Sequence, residues 1–296
     1  MRRAACAVLL GLAACGKPEA ADVEIIGGPG ASPGRFAQPR SAAVEPGGRC
    51  FVVDKSGRVQ RFSAAGVVEK VWSTPAVEKG RPAGLAWDPR GALLVADTHY
   101  HRVLRYSPDG ELLGGFGSEG RGPGQFIYPT GVAVAPDGTT YVSEFGGNDR
   151  IQVFGPDGRF LRAWGKYGEE PGQFKRPQGI ALAGDVLYVA DAANHRIQAF
   201  GSDGRFLRQW DGVLYPYAVA VEPGGHVLVA EYGRHRISKF TPEGRLVAAA
   251  GKAGDGPGEL NTPWSVLSAG DTVVVADSGN HWLQLWPASM LKGGPP

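Results

Sequence analysis

Residues 129–164 read PTGVAVAPDGTTYVSEFGGNDRIQVFGPDGRFLRAW, and this stretch decides the fold. It contains four short runs of β-branched and aromatic residues, separated by turns rich in glycine, proline and aspartate, which predicts four strands. The two Pro-Asp-Gly turns suit tight reversals of the chain, because proline presets φ and glycine accepts a positive φ. One unit is therefore predicted to be four antiparallel strands, which we name A to D in chain order.

The same unit recurs six times, with 39 to 48 residues between successive leading prolines. Those prolines, which precede strand A, are Pro39, Pro82, Pro129, Pro177, Pro216 and Pro263. Strand B always ends in an acid: Asp54, Asp97, Glu144, Asp191, Glu231 and Asp277. Strand C always ends in an aromatic residue: Phe62, Tyr106, Phe154, Phe200, Phe240 and Trp286. Six such units predict an all-β fold, a six-bladed β-propeller.

The register of the repeats predicts how the ring closes. The sixth repeat supplies strands A, B and C and ends at Pro287, whereas Val23–Ile26 is an unmatched fourth strand at the other end of the chain. Four D–A loops support this register, since each has twelve residues and starts with glycine: 27–38, 117–128, 165–176 and 251–262. We therefore expect the N-terminal strand to complete the last blade, with the propeller spanning 22–287 and a tail at 288–296.

Two phrases within these units resemble the NHL repeat family. They are Val-Ala-Asp-Ala-Ala-Asn-His-Arg-Ile-Gln at 189–198 and Pro-Thr-Gly-Val-Ala-Val at 129–134. The resemblance extends over residues 22–287 and implies the same six-bladed propeller. It does not select a function, because members of this family differ in what they do.

The first residues predict export. The chain opens MRRAACAVLLGLAACGK, a basic start followed by a short apolar run, which is typical of a signal peptide. Leu12-Ala13-Ala14-Cys15 resembles the lipobox of bacterial lipoproteins. The resemblance implies a signal peptide at 1–14, lipidation of Cys15, a tether at 15–21 and a place in the bacterial cell envelope. Gly16 after the cysteine favours the outer membrane, and a plain signal with a chance cysteine is the alternative.

Charge and cysteine content restrict the partners. The formal net charge is +2, and removing Arg2 and Arg3 with the signal leaves 29 basic and 29 acidic residues. A neutral, exported chain is a poor partner for nucleic acid, so we expect none, and the membrane is contacted through the lipid anchor only. Cys50 is then the single free thiol, which predicts no internal disulfide and a buried apolar role. We expect a monomer.

The face formed by the D–A and B–C loops carries the candidate ligand-binding residues. The residue after each leading proline begins strand A near the axis, and these positions include Arg40, Gln178, Tyr217 and Trp264. Aromatic rings and a guanidinium at a channel mouth suit a sugar, a peptide or an aromatic ligand, although the rings could instead plug the channel. The B–C loops add Tyr100, His101, Phe145, Asn194, His195, Tyr232 and His235.

Two further patterns allow a chemical or a structural interpretation. His101, His195, His235 and His281 share one repeat position, but equivalent positions in a ring lie far apart, so we predict no metal site. Acid–arginine pairs recur as Asp97 with Arg102, Glu144 with Arg150, Asp191 with Arg196, and Glu231 with Arg236. One active site needs one such pair, so their recurrence favours a structural role, with the arginine satisfying the carboxylate.

The leading functional prediction is a membrane-tethered binding or scaffold module for a peptide, a glycan or a partner protein. The sequence has no Gly-x-Ser-x-Gly, Cys-x-x-Cys or phosphate-loop motif, so we assign no catalytic residue and no cofactor. The alternative is a metal-dependent lyase or hydrolase of the six-bladed class, similar to amidating lyases or lactonases. Zinc or calcium is expected only under that alternative.

Overall fold

The computed structural model describes residues 22–292. The predicted signal peptide, Cys15, the tether and tail residues 293–296 lie outside the described residues. The described chain forms six sheets of four strands each, which confirms the all-β six-bladed propeller. Between residues 22 and 292 no helix has the length and apolarity needed to cross a lipid bilayer.

The strands follow the predicted A–B–C–D order in each blade. Blades 1 and 2 contain β2 (Pro39–Val44), β3 (Cys50–Asp54), β4 (Arg58–Phe62), β5 (Val68–Ser73), β6 (Gly84–Asp88), β7 (Ala92–Asp97), β8 (Arg102–Tyr106) and β9 (Leu112–Phe116). Blades 3 and 4 contain β10 (Tyr128–Val134), β11 (Thr140–Phe145), β12 (Arg150–Phe154), β13 (Phe160–Trp164), β14 (Pro177–Ala183), β15 (Val186–Asp191), β16 (Arg196–Gly201) and β17 (Phe206–Trp210). Blades 5 and 6 contain β18 (Pro216–Val221), β19 (Val227–Glu231), β20 (Arg236–Phe240), β21 (Leu246–Ala250), β22 (Pro263–Ala269), β23 (Thr272–Asp277), β24 (Trp282–Pro287) and β1 (Glu24–Gly27).

The apolar core lies between the blades. Six clusters of buried side chains fill the six interfaces, and each cluster draws on two neighbouring blades. Strands B and C are buried on both faces for this reason, which explains why β7 (ALLVAD) is apolar almost throughout instead of alternating. Cys50 packs at the interface of blades 6 and 1, where burial raises the pKa of its thiol to about 12.

The first strand closes the ring as predicted. β1 pairs antiparallel with β24, in a register that places Glu24 opposite Leu285 and Gly27 opposite Trp282. Ile26 packs in the cluster shared by blades 6 and 1. Every four-stranded sheet is thereby complete, so the sixth blade does not leave β24 as an unpaired edge.

The start of the C-terminal tail fills a gap left by the sixth blade. In the other blades a strand-D side chain covers the C–D turn of the next blade; Trp210, for example, contacts Gly244 so closely that a Cβ there would meet the indole at 2.6 Å. Blade 6 has no C–D turn, because its fourth strand comes from the N-terminus. A 3-10 turn at Ala288–Leu291 packs beside β21 instead, with Leu291 only 1% exposed.

Candidate functional site

The D–A and B–C loops form one end of the ring, which we call the long-loop face. Neighbouring loops on it interlock through a repeated asparagine. The amide of Asn148 donates to the carbonyl of Gly120 at 3.3 Å, Asn194 to that of Gly168 at 2.9 Å, and Asn280 to that of Gly254 at 2.8 Å. The outer part of this face is therefore a braced ring of loops, and Asn194 belongs to the bracing.

A buried carboxylate anchors each loop to its blade. Asp191 is fully buried and accepts hydrogen bonds from the backbone N–H of Lys175 at 2.8 Å, from Arg196 Nε at 2.8 Å and from Gln198 Nε2 at 3.0 Å. Burial raises the pKa of this carboxyl, while these donors act in the opposite direction. The other end of the Arg196 guanidinium donates to the carbonyls of Glu170 and Gln173.

The acid–arginine pair recurs around the ring with nearly the same geometry. The nitrogen–oxygen distances are 2.8 Å for Arg58–Asp54, 2.9 Å for Arg102–Asp97, 2.7 Å for Arg150–Glu144 and 2.7 Å for Arg236–Glu231. In the sixth blade the indole Nε1 of Trp282 donates to Asp277 at 2.8 Å and takes the place of the guanidinium. We call these six units, each an acid with its partner, the belt; their contacts hold loops to blades.

A glutamine in strand C completes the belt, and sequence reasoning missed it. Its side-chain oxygen accepts the N–H of the eighth loop residue, and its amide donates to a carbonyl of the same loop. The four glutamines are Gln60, Gln152, Gln198 and Gln284. They occur only in the blades that follow a twelve-residue loop, whereas Leu104 and Ser238 stand at this position in blades 2 and 5. The co-occurrence of this glutamine with a twelve-residue loop is visible in the sequence and could have predicted the contact between them.

The matched histidines connect successive blades through the backbone. His195 Nδ1 accepts the N–H of Tyr215 at 3.2 Å, His235 Nδ1 that of Thr262 at 3.1 Å, and His281 Nδ1 that of Gln38 at 3.1 Å. In blade 3 the equivalent residue, Asp149, accepts the N–H of Arg176 at 2.7 Å. His281 joins the last blade to the first.

The other two imidazoles of the long-loop face are also occupied. His101 contacts the carbonyl of Ile127 through Nδ1, and His99 Nδ1 accepts the N–H of Arg81 at 3.1 Å. Within residues 22–292 no group of three or more His, Cys, Asp or Glu side chains is arranged to hold a metal ion.

The six strands A surround an axial channel with a volume of about 340 Å³. Its end on the long-loop face, which we call the mouth, is formed by the residues that follow the leading prolines. They are Arg40, Ala83, Thr130, Gln178, Tyr217 and Trp264. The channel wall below the mouth is made of small and apolar residues of strands A. The sequence predicts that strand A begins at the residue after each leading proline. Four of these strands begin at the proline itself and β10 begins one residue before it, at Tyr128, whereas β6 begins at Gly84, two residues after Pro82.

Three aromatic rings and a guanidinium meet on one side of the mouth. Tyr217 lies with its ring centroid 4.8 Å from that of Trp264, nearly perpendicular to it, and 4.4 Å from that of Tyr232, stacked on it. The Cζ atom of Arg40 lies 4.9 Å from the Trp264 ring centroid. We call Arg40, Tyr217, Tyr232 and Trp264 the aromatic corner, which brings together residues of blades 1, 5 and 6.

A second cation–aromatic contact lies on the long-loop face, between blades 3 and 4. The guanidinium of Arg176 sits 5.1 Å from the ring centroid of Phe145, and Phe145 packs on Tyr128 at 5.3 Å. Sequence reasoning missed Arg176 and Tyr128. They occupy the last position of their D–A loops, where the other twelve-residue loops have Gln38 and Thr262. Variation at a position beside a constant proline was the available signal.

The structure thus divides the predicted ligand-binding residues into two groups. Arg40, Gln178, Tyr217 and Trp264 line the mouth, with Tyr232 in the aromatic corner and Phe145 beside Arg176. Asn194, His195, His235 and His101 contact backbone groups of neighbouring loops. The Tyr100 hydroxyl donates to Glu78 at 3.0 Å and accepts the N–H of Lys79, so it braces the loop before blade 2.

The NHL repeat family model matches residues 174–200 and 214–240, the regions that carry the Asp191 and Glu231 units of the belt. These two segments match NHL repeats, and they lie in a chain that folds as a six-bladed β-propeller. The chain is also similar to Protein brain tumor of Drosophila melanogaster, with 30% identity over 95 residues. That match takes in 32% of this chain and 8% of the fly protein, so it spans only a small part of the relative.

Solved structures with the same fold include enzymes. A streptogramin B lyase superposes with a TM-score of 0.65 at 14% identity, over 89% of this chain and 96% of the lyase. A gluconolactonase from Xanthomonas campestris superposes with a TM-score of 0.64 at 18% identity, over 85% and 86% of the two chains. At these identities the likeness shows a shared fold alone.

Proposed function

We propose that this NHL propeller is a binding module that holds a peptide, a glycan or a partner protein on the long-loop face, with the mouth as the principal contact. The aromatic corner carries the proposal. It places three rings and a guanidinium at the end of a channel, where large aromatic surfaces and cation–π contacts favour ligand binding. The belt residues, in contrast, are already engaged in holding loops.

The volume of the channel argues against a purely space-filling role for these rings. About 340 Å³ stays free along the axis with Tyr217 and Trp264 in place. This volume lies at the lower end of the range of roughly 300–1,000 Å³ found for ligand pockets. The aromatic corner therefore borders a space that a ligand can enter.

A paired mutant tests the proposal. Purified wild-type protein and the double variant Tyr217→Ala/Trp264→Ala would be screened against the same glycan and peptide arrays. We expect the wild-type ligands to lose at least about tenfold in affinity, which corresponds to about 1.4 kcal/mol. The matched control is Val67→Ala/Leu161→Ala, which removes two side chains that are 63% and 51% exposed and lie outside the mouth.

Thermal unfolding of all three proteins separates lost binding from lost folding. Retention of every wild-type ligand by a folded double variant would contradict the proposal. Equal losses in the double variant and in the Val67/Leu161 control would contradict it as well, because the mouth would then have no special part in binding.

A metal-dependent lyase or hydrolase is the second candidate, and its support is the fold that the chain shares with a lyase and a lactonase. The mouth itself carries no Asp, Glu, Asn or His among its six residues. Metal analysis of purified protein, followed by lactone-hydrolysis and elimination assays, distinguishes the candidates. Stoichiometric zinc or calcium together with turnover would favour the enzyme.

Export and lipid attachment at Cys15 form a separate part of the proposal. They are supported by the basic and apolar start of the chain and by Leu12-Ala13-Ala14-Cys15. Expression of the full chain and of Cys15→Ser in a bacterial host tests them. We expect the wild-type chain in the membrane fraction, with the mass of an added lipid, and the variant in the fraction without membranes.

A further inference from the structure

Arg40 at the mouth, and Arg81 and Arg176 in the D–A loops beside it, differ from the arginines of the belt in having no acid partner. Among residues 22–292 no carboxylate lies within salt-bridge distance of the guanidinium of Arg40, Arg81 or Arg176. The hydrogen bond recorded for the Arg40 guanidinium runs from Nη1 to the carbonyl of Pro82 at 3.3 Å. Most of its N–H groups are therefore left for another acceptor.

The surroundings of Arg40 are unfavourable for a cation in the unliganded protein. Burial lowers the pKa of this guanidinium, and the nearby positive charge of Arg81 lowers it further, while Tyr217 acts in the opposite direction. A cation that is partly desolvated without a counter-ion costs free energy unless something compensates for it. An anion bound at the mouth would supply that compensation.

Gln178 adds an unmet donor elsewhere in the channel wall, in blade 4, which lies opposite the blade of Arg40. It is 4% exposed and lines the channel, yet its side-chain Nε2 has no hydrogen-bond partner within residues 22–292. Buried polar groups are rarely left without a partner, because an unpaired buried donor costs about 1–3 kcal/mol. The wall of the channel therefore contains an unsatisfied donor besides the guanidinium of Arg40.

The other mouth residues indicate what kind of molecule would carry the anion that Arg40 favours. The hydroxyl of Thr130 is already engaged, with the carbonyl of Pro177 at 3.1 Å. Hydroxyl-rich ligands need acceptors as well as donors, and the mouth has no carboxylate, so its side-chain acceptors are limited to the Gln178 amide oxygen and the hydroxyls of Thr130 and Tyr217. Tyr217 and Trp264 offer apolar ring surfaces instead, and these suit a ring-sized apolar body.

We propose that the mouth binds a carboxylate attached to a ring-sized apolar body, with the carboxylate at Arg40 and the body against Trp264 and Tyr217. This inference rests on the proposed binding function and specifies its ligand. A free organic acid and the C-terminal residue of a peptide both present this chemistry. The channel accepts either one end-on, since its volume of about 340 Å³ suits a small group better than a long segment.

Calorimetric titration with a charged and neutral pair of probes tests the inference. The pair is phenylacetate and phenylacetamide, which share the ring and differ in charge. We expect phenylacetate to bind at least about tenfold more tightly, because hydrogen bonds to charged groups contribute about 1.5–3 kcal/mol. Arg40→Gln should abolish this preference, whereas Arg40→Lys should keep part of it.

The matched control is Arg121→Gln, which removes another arginine of the long-loop face whose Nη1 contacts the carbonyl of Gly147. It should keep the full preference for phenylacetate. Equal binding of the two probes, absence of binding by both, or an unchanged preference in Arg40→Gln would overturn the inference. Tighter binding of glucuronate than of phenylacetate would overturn it too, because the body would then be polar.

These outcomes separate the inference from the proposed function. If neutral ligands bind the wild-type protein and are lost in Tyr217→Ala/Trp264→Ala, the mouth is still a binding site and only its anion preference is wrong. If phenylacetate is preferred instead, a tripeptide ending in phenylalanine, with a free or an amidated C-terminus, identifies the source of the carboxylate. Tighter binding of the free tripeptide than of phenylacetate assigns a peptide end, and weaker binding assigns a free organic acid.

Discussion

The arginines of the belt and Arg40, the arginine of the mouth, have the same side chain in opposite surroundings. Arg196 is 4% exposed and bound to the buried carboxylate of Asp191, and each of five blades repeats such a pair. Arg40 lies beside aromatic rings, and no other mouth position carries an arginine. In this ring, the arginine that recurs at an equivalent position in five blades holds loops to blades, whereas the arginine that occurs at one mouth position is available for a ligand.

The largest effect should come from breaking a belt pair. Asp191→Ala leaves Arg196 buried without its counter-ion and should lower the free energy of unfolding by about 3–5 kcal/mol. Urea unfolding measures it. Asp157→Ala, which removes an acid whose side chain is 59% exposed from its pair with Arg159, is the control and should change the free energy by under about 1 kcal/mol. Similar losses in the two variants would erase the distinction between the belt and the surface.

A smaller effect is expected from the histidine that joins the last blade to the first. His281→Ala removes the acceptor of the Gln38 N–H and should cost about 1 kcal/mol, seen as a lower urea midpoint. His226→Ala is the matched control, because that imidazole lies 4.0 Å from Glu222 and joins no two blades. If the two variants unfold alike, the contact at the closure does not stabilise the ring.

Blade 2 offers a test through pH. The carboxylate of Asp97 has one oxygen, Oδ1, without a hydrogen-bond partner in the described chain, and burial raises the pKa of this group above its ordinary 3.8. The folded state then binds the proton more tightly than the unfolded state. The stability that protonated Asp97 contributes to the folded state is fully present below about pH 3.8, and it is lost as the pH rises through the pKa of Asp97 in the folded protein.

Comparison with Asp97→Asn isolates that contribution. The stability of the wild type relative to this variant should fall as pH rises from 3.8 towards neutrality, measured by urea unfolding at each pH. Asp137→Asn should give the opposite slope, because hydrogen bonds from Thr139 lower the pKa of Asp137. A flat difference for Asp97 would mean that its surroundings favour the charged form as much as water does.

The smallest change in stability is expected at the mouth. Arg40→Gln removes a partly desolvated cation that has no acid partner and should leave the free energy of unfolding within about 0.5 kcal/mol of wild type. Arg196→Gln, with the same substitution in the belt, should be strongly destabilised. Equal destabilisation of these two variants would show that Arg40 is structural, against the assignment made here.

The sequence predicted the ring well because repetition specifies it. Six leading prolines, six acids and the unmatched Val23–Ile26 established the blades and the closing strand. It did less well on individual side chains. Trp282 stands where the other five blades have an arginine. That its indole N–H replaces the guanidinium depends on how the indole is oriented, which spacing does not specify.

The sequence predicted which side chains of the candidate site lie near the propeller axis. It did not predict which of the candidate side chains are already engaged in hydrogen bonds to neighbouring loops. Tyr217, Trp264 and Arg40 were placed together from their shared repeat position. His195 and His235 were grouped with them as ligand-binding candidates, yet their Nδ1 atoms accept N–H groups of the following blade. Those backbone N–H groups belong to Tyr215 and Thr262, which have positive φ, a conformation that the sequence does not announce for such residues.

Closure by β1 has a consequence for the order of assembly. Glu24 pairs with Leu285, so the strand made first has its partner at the far end of the ring. During synthesis β1 stays without that partner until the twenty-fourth strand has been made, and the contact between blades 6 and 1 forms last. Because contacts between residues far apart in the chain form slowly, the pairing of β1 with β24 should set the overall rate of folding.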